Sequence, residues 1–488
     1  MRKTKISDGP ERPGWAPSRR AVLAGSLGSA AILAAGRWPA LAAEGVREFA
    51  LESGAREARI APAPAPPTRI WSFNGALPGP ELRVRQGERL RIAVTNTLVE
   101  PTTVHWHGIR LPNPMDGVPH LTQAPIEPGG RFVYEFDAVD AGTFWYHPHM
   151  RSAEQVGRGL YGPLIIEEAE PPLADRDITW VLDDWRLARS AQITDDFGQF
   201  HDITHAGRIG NTVTINGAIP ETFKVRRGER IRLRLINAAN ARNFALDLGA
   251  HAPVIVALDG QPVRPHVPEG GLVTLGPAMR ADLIIDMMEP AGSRTRVIDR
   301  FYQGRDYRLI DFVYDEQPLR DEPPDGPLDL PANPLTEPDM ENATRHEITF
   351  SGGMMSGMRG AEVNGEWTDM RTMMRSGLAW AINGVAAHGH VMEPMAVLKR
   401  GTTHILDMVN ETAFPHPIHL HGHHFRVLSR NGERVRHKPW QDTVLMAPED
   451  RVEVAFVADN PGDWMFHCHI PEHMDAGMMG VVRVSEAA

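Results

Sequence analysis

Phe73-Asn74-Gly75 opens a stretch that runs through Leu82-Arg83-Val84-Arg85-Gln86-Gly87-Glu88-Arg89 into Leu90-Arg91-Ile92-Ala93-Val94 and ends at Asn96. The phrase returns as Ile215-Asn216-Gly217, Phe223-Lys224-Val225-Arg226-Arg227-Gly228-Glu229-Arg230 and Ile231-Arg232-Leu233-Arg234-Leu235, ending at Asn237. A looser third copy has Ile382-Asn383-Gly384, Val397-Leu398-Lys399-Arg400-Gly401 and His404-Ile405-Leu406-Asp407-Met408-Val409 before Asn410. Apolar and polar residues alternate with period two on both sides of a glycine, which predicts half-buried strands joined by a tight connection. The copies start 142 and 167 residues apart, the spacing of whole β-sandwiches rather than of solenoid units. The expected fold is all-β, three tandem Greek-key sandwich domains over residues 43–168, 172–315 and 346–488, with 316–345 as a linker. Boundaries are read at the acidic, Pro-containing Glu167-Glu168-Ala169-Glu170-Pro171-Pro172 and in the run from Asp315 to Pro338, which is rich in Pro, Asp and Glu.

Composition agrees. The 488 residues include 45 Gly and 41 Pro, a load that suits short strands and turns. With 42% hydrophobic and 23% charged residues the chain reads as a soluble globular protein. A net charge of −11 offers no basic surface for nucleic acid or an anionic membrane. The single cysteine, Cys468, excludes an intramolecular disulfide.

Residues 1–42 read as an address: Arg2, Lys3 and Lys5, then Ser18-Arg19-Arg20-Ala21-Val22-Leu23, an Ala- and Gly-rich apolar run, and Ala40-Leu41-Ala42 as a cleavage site. The paired arginines resemble a twin-arginine signal, which implies export to a bacterial periplasm and no membrane span after cleavage. Cleavage removes seven basic and two acidic side chains, leaving a more acidic mature chain.

Ten of the 22 histidines fall into four clusters: His105-Trp106-His107, His147-Pro148-His149, His416-Pro417-Ile418-His419-Leu420-His421, and His467-Cys468-His469 followed by His473. In a strand, side chains at i and i+2 share a face, so each H-x-H presents two imidazoles together. Four pairs supply eight nitrogens, enough for three borderline-soft metal ions. Two pairs belong to the first repeat and two to the third, which places the cluster between those domains. Cys468 points to the opposite face from His467 and His469, toward a second site. There His416, His473 and the thioether of Met478 complete a two-His, one-Cys, distant-Met set, the pattern of a blue-copper electron-transfer site. The second repeat reads Ala238-Ala239-Asn240-Ala241-Arg242-Asn243 where the first has its histidines, so domain two is expected to be copper-free. His201, His205, His251 and His266 are read as hydrogen-bonded or surface residues.

These clusters, in this order, resemble the copper signatures of the multicopper oxidases, the family of laccases and periplasmic cuprous oxidases, over nearly the whole mature chain. The resemblance implies three cupredoxin-like sandwiches and four copper ions. It assigns type 1 copper to His416, Cys468, His473 and Met478, and type 2 copper to His105 and His419. The type 3 pair takes His107, His147, His149, His421, His467 and His469. The family pattern does not use His423 and His424. By the same resemblance, a small-molecule donor gives single electrons at the blue site, Cys468 passes them on, and dioxygen is reduced to water. Asp116 matches an acidic position near the cluster and is expected to relay protons. The acidic residue often found after the last histidine ligand is replaced by Met474, with Glu472 and Asp475 as neighbouring substitutes or ordinary surface carboxylates.

Met354, Met355, Met358, Met370, Met373 and Met374 crowd one segment of domain three. Soft thioethers suit Cu(I), and the segment resembles the methionine-rich insertion that covers the blue site of periplasmic cuprous oxidases, though it is shorter and poor in histidine; flexible gap-filling or surface cover near a cleft is the alternative. The expectation is a periplasmic, monomeric, laccase-like oxidase of phenols or similar donors. A cuprous oxidase of copper tolerance is the close alternative, and a non-catalytic copper-binding protein of the cell envelope is the distant one.

Overall fold

The computed structural model describes residues 45–389 and 393–486, so the signal segment expected over residues 1–42 lies outside the described residues. Three pairs of sheets follow one another along the chain. Strands between residues 46 and 167 make two four-stranded sheets, and those between 176 and 314 make a six- and a five-stranded sheet. Strands between 344 and 485 make a seven- and a five-stranded sheet plus a small hairpin. No described helix exceeds six residues.

The three repeats share one connectivity. Leu82–Arg85, Thr222–Val225 and Ala396–Lys399 each pair in parallel with the last strand of their sheet pair. Arg89–Asn96, Glu229–Asn237 and Thr403–Asn410 each pair in parallel with the first strand, in the other sheet. The glycine turn between them therefore carries the chain from one sheet across to its partner.

Both asparagines of each repeat do fixed work. The first stands with its glycine at left-handed φ, 54° for Asn74 and 73° for Gly75, as an Asn-Gly turn requires. Its side chain grips the first strand: Asn74 Oδ1 accepts from Glu52 N at 2.7 Å, Asn216 Oδ1 from Val181 N at 2.8 Å, and Asn383 Oδ1 from Thr349 N at 2.7 Å. The second is fully buried and shapes the loop that follows. Oδ1 of Asn96, Asn237 and Asn410 accepts from the backbone N–H two residues on, while Nδ2 donates to Glu100 O, Arg242 O and Phe414 O at 2.8 Å. In the first and third repeats that loop leads to His105 and His416.

The expected half-burial holds for Arg89–Asn96, where Leu90, Ile92 and Val94 are buried between more exposed neighbours. It fails for Glu229–Asn237, which is buried at all nine positions. The polar face of that strand meets the first sheet pair instead of water. Arg232 donates to Glu168 at 2.6 and 2.8 Å and to Asp282 at 2.6 Å, and Arg234 donates to Asp177 at 2.6 Å and to Thr143 Oγ1 at 2.9 Å. Residues 316–345 are mostly exposed, but Asn333 ties them down, donating to Ala141 O at 2.8 Å and to Gln261 Oε1 at 2.9 Å.

One apolar cluster joins the outer thirds, uniting Phe73, Trp106 and Tyr146 with Phe350, Trp464 and Phe466, whereas the middle third has its own core around Leu233, Leu283 and Phe312. The outer thirds are thus held face to face.

Arg91 and Arg232 occupy matching places in the repeat, yet the Arg91 side chain is 54% exposed and that of Arg232 1%. Arg232→Ala leaves two buried carboxylates short of a partner and is expected to cost about 3–5 kcal/mol in denaturant unfolding. Arg91→Ala is expected to stay within about 0.5 kcal/mol.

Candidate metal centre

Register brings the histidine pairs together. His105–His107 pairs antiparallel with Gly142–His147, setting His105 opposite His147. His416–Leu420 pairs antiparallel with Gly462–Cys468, setting His419 opposite His467 and Ile418 opposite Cys468. Donor atoms within 4.8 Å of one another then form buried groups: His105, His107 and His419; His107, His147 and His469; His149, His421 and His467; and His416, Cys468 and His473. The first three combine residues of both outer thirds.

Six of the eight cluster rings are aimed by their second nitrogen. His105 Nδ1 donates to Asp116 O at 2.8 Å, His107 Nε2 to Asp442 Oδ1 at 3.0 Å, and His147 Nδ1 to Pro148 O at 3.0 Å. His419 Nδ1 donates to Asp442 O, His421 Nδ1 to Asp116 Oδ2 and His467 Nδ1 to Cys468 O, all at 2.8 Å. A neutral imidazole that donates from one nitrogen carries a lone pair on the other. His105 Nε2, His107 Nδ1, His149 Nε2 and His419 Nε2 are buried without any hydrogen-bond partner. His421 Nε2 faces His467 Nε2 at 3.1 Å, and His469 Nε2 faces His147 Nε2 at 3.3 Å. Buried lone pairs turned toward each other call for cations between them.

The second group sits on the other face of the same strand. Cys468 Sγ lies 3.5 Å from His416 Nδ1 and 3.7 Å from His473 Nδ1, and the two nitrogens are 3.1 Å apart. Their far nitrogens donate to Thr412 Oγ1 and to His205 O, each at 2.7 Å. Met478 is fully buried, and its carbonyl accepts from Cys468 N at 3.1 Å. Burial pushes the Cys468 thiol up, so a metal cation is what would draw off its proton. Trp380 closes the site, its ring centroid 4.3 Å from that of His473, while its Nε1 donates to Ile203 O at 2.6 Å.

The remaining sequence candidates separate. Glu472 is 2% exposed, which corrects its reading as a surface carboxylate; burial pushes its pKa up, and Oε2 has no partner. Asp475 is exposed, and Met474 is buried against Val118 and Met465. Among the methionines, Met373 is a core residue packed with Leu378 and Ala361, whereas Met354 and Met355 are exposed and Met354 N donates to Thr204 O at 2.8 Å. His251 is satisfied by Leu248 O and Tyr314 Oη, and His424 lies 3.4 Å from Asp442 Oδ2. Sequence reasoning did not find Asp442, Thr412, Trp380 or the His205 carbonyl. None stands in a metal-ligand pattern, and the His205 contribution is backbone.

Family models described as multicopper oxidase match residues 55–171, 176–293 and 364–488. The chain belongs to the multicopper oxidase family. It is 31% identical over 459 residues to the multicopper oxidase MmcO of Mycobacterium tuberculosis, across 86% of this chain and 85% of that one. It is 27% identical over 620 residues to copper resistance protein A of Pseudomonas syringae pv. tomato, across 96% and 99%. A multi-copper oxidase from Pseudomonas thermotolerans superposes with a TM-score of 0.79 at 35% identity, covering 90% of this chain and all of that one. Multicopper oxidases bind copper, and the donors here fit it: imidazole nitrogens left without partners, and a thiol between two imidazoles. Membership also makes the protein an oxidoreductase with an all-β, cupredoxin-like fold. Among the described residues no helix is long and apolar enough to cross a membrane.

Burial holds nearly all these imidazoles below the ordinary histidine range, His473 down to about 3 and His107, His147, His149, His416, His421, His467 and His469 well below it. The unfolded chain takes up these protons near pH 6.5 and the fold does not, so acid favours unfolding. Copper-free protein is expected to keep its full stability above about pH 6.5 and to lose it progressively below, read as a falling melting temperature. Copper bound to the folded state alone is expected to raise the melting temperature at every pH.

Proposed function

We propose that this chain is a laccase-type oxidase that takes single electrons from phenols or similar small donors and delivers four to each dioxygen, with four protons, to give two waters. The observation that carries the reading is Cys468. Its side chain stands between His416 and His473, while its chain neighbours His467 and His469 reach the eight-histidine cluster. Bound copper would supply the one-electron redox chemistry and the reduction of dioxygen. In this reading His416, Cys468, His473 and Met478 hold type 1 copper, and His105 and His419 hold type 2 copper. His107, His147, His149, His421, His467 and His469 hold the type 3 pair.

The chain's own part is to orient and exclude. His473 donates its Nε2–H to the carbonyl of the half-buried His205, and in this reading the donor approaches at that end. Tryptophan and apolar neighbours keep water from Cys468, which is fully buried. Asp116 holds His421 through Oδ2 and leaves Oδ1 unbonded 3.2 Å from His105 Nδ1, a place to hold a proton on its way to the cluster. We place the domains at 43–168, 172–315 and 346–488 with 316–345 linking them, and read the mature chain as a periplasmic monomer exported through residues 1–42.

A second reading, oxidation of Cu(I), is favoured by Met354 and Met355, which are exposed beside Thr204 and so near the His205 carbonyl on His473. The remaining soft candidates, Met358, Met370 and Met374, lie partly buried in the same segment. Oxygen uptake with a methoxyphenol and with stabilised Cu(I) separates the two. Strong phenol turnover without added copper is expected; efficient Cu(I) oxidation, with phenol turnover only when copper is added, would establish the Cu(I) reading. Deleting residues 354–374 is expected to reduce Cu(I) oxidation selectively if those thioethers recruit the ion, and both activities equally if the segment is structural.

Cys468→Ser is expected to abolish the intense visible absorption and donor oxidation while most of the histidine-bound copper remains. A retained blue colour would overturn the ligand assignment. Asp116→Asn is expected to slow oxygen reduction by about 10²-fold or more, and turnover unchanged across pH would remove Asp116 from the relay.

A further inference from the structure

Arg280 opens the strand Arg280–Met287 of the middle third and is fully buried. Its guanidinium donates to both oxygens of Asp442, from Nη1 to Oδ1 at 2.8 Å and from Nη2 to Oδ2 at 2.6 Å. The remaining donors go to backbone carbonyls: Nε to Thr143 O at 3.2 Å, Nη1 to Ala278 O at 3.2 Å and Nη2 to Asp259 O at 3.0 Å. A planar fork with every side bonded has one orientation, and it imposes that orientation on the carboxylate it meets.

Asp442 in turn governs two rings. Its Oδ1 accepts from His107 Nε2 and its backbone carbonyl from His419 Nδ1. One ring comes from each outer third, and the two stack with centroids 3.8 Å apart. Their opposite nitrogens are among the buried atoms without partners. Asp259, also of the middle third, reinforces the grip: its Oδ2 accepts from Gln441 Nε2 at 3.1 Å and Thr443 N at 3.3 Å, on either side of Asp442.

Gly108, directly after His107, supplies an independent observation. A Cβ there would lie 2.3 Å from Arg280 Nη2 and 2.6 Å from Asp442 Oδ2. The backbone beside this histidine has been kept bare where the guanidinium–carboxylate pair sits.

We propose that Arg280 is a positioning residue for the histidine cluster, through which the middle third, bearing no copper ligand, sets the orientation of His107 and His419 and with it copper retention. This rests on the reading that those histidines hold copper. Arg280 touches neither donor nor dioxygen; it acts through Asp442.

The test uses copper-loaded mature protein carrying Arg280→Gln, Arg280→Lys, Asp442→Asn, or Arg280→Gln with Asp442→Asn. Copper per chain, the type 2 copper paramagnetic resonance signal and the visible band of the Cys468 site are measured on each. Arg280→Gln is expected to keep the visible band, to weaken copper affinity at the histidine cluster about 10–100-fold, and to diminish or shift the type 2 signal. Arg280→Lys keeps the charge without the fork and is expected to fall between; it is the variant to read if Arg280→Gln does not fold. The double variant is expected to be no worse than Asp442→Asn alone. Full copper with an unaltered type 2 signal in Arg280→Gln, or losses that add in the double variant, would overturn the proposal. A parent protein that takes up no copper would overturn the metal reading, and this inference with it.

Discussion

Buried imidazole nitrogens facing one another across 3.1 to 3.3 Å cannot satisfy themselves. His421 Nε2 and His467 Nε2 each have their proton on the far side of the ring, committed to Asp116 and to the Cys468 carbonyl, and so meet lone pair to lone pair. The same holds around the cluster, with four further nitrogens buried and unpartnered. A fold that builds this arrangement bears its cost until cations enter, and the surrounding architecture serves to prevent collapse. Six of the eight rings are held from behind by oxygen acceptors, and one apolar core joins the outer thirds and keeps the strands together.

Strand alternation ties this cluster to the second site. In Gly462–Cys468 the final residue turns its sulfur to one side, and its neighbours His467 and His469 turn to the other. Two chemically different sites are thereby fixed at the separation of adjacent residues, with no adjustable element between them. The Cys468 carbonyl is also the acceptor that orients His467, so the backbone at one site aims a ring of the other.

The repeats show how one sequence pattern acquires different meanings. Their paired asparagines perform the same turn-closing work three times, so the backbone scaffold is copied faithfully. What differs is the surroundings. Arg91 remains at the surface, while Arg232 and Arg234 are enclosed with Glu168, Asp177 and Asp282 where the middle third meets the first. Among the described residues the middle third contributes no side chain to the histidine and cysteine groups, yet its polar strand face and Arg280 turn it into a wedge that grips both neighbours.

The clustering of the histidines was legible because the relevant rule is local: an H-x-H in a strand shares a face whatever the rest of the chain does, and the cysteine between two of them cannot share it. The three-fold repeat was legible for a similar reason, since period-two alternation and Asn-Gly turns are short-range. What could not be read was everything that depends on which surfaces meet. Arg280 reaches Asp442 across 162 positions, and His107 reaches it across 335, separations at which no spacing rule operates. Glu472 looks like a solvated carboxylate and is buried; His205 looks like a bland surface histidine and lends its carbonyl to His473. The same arginine in the same repeat position is exposed in one copy and enclosed in another, because burial belongs to the packing of sheets against one another and not to the strand that carries the residue.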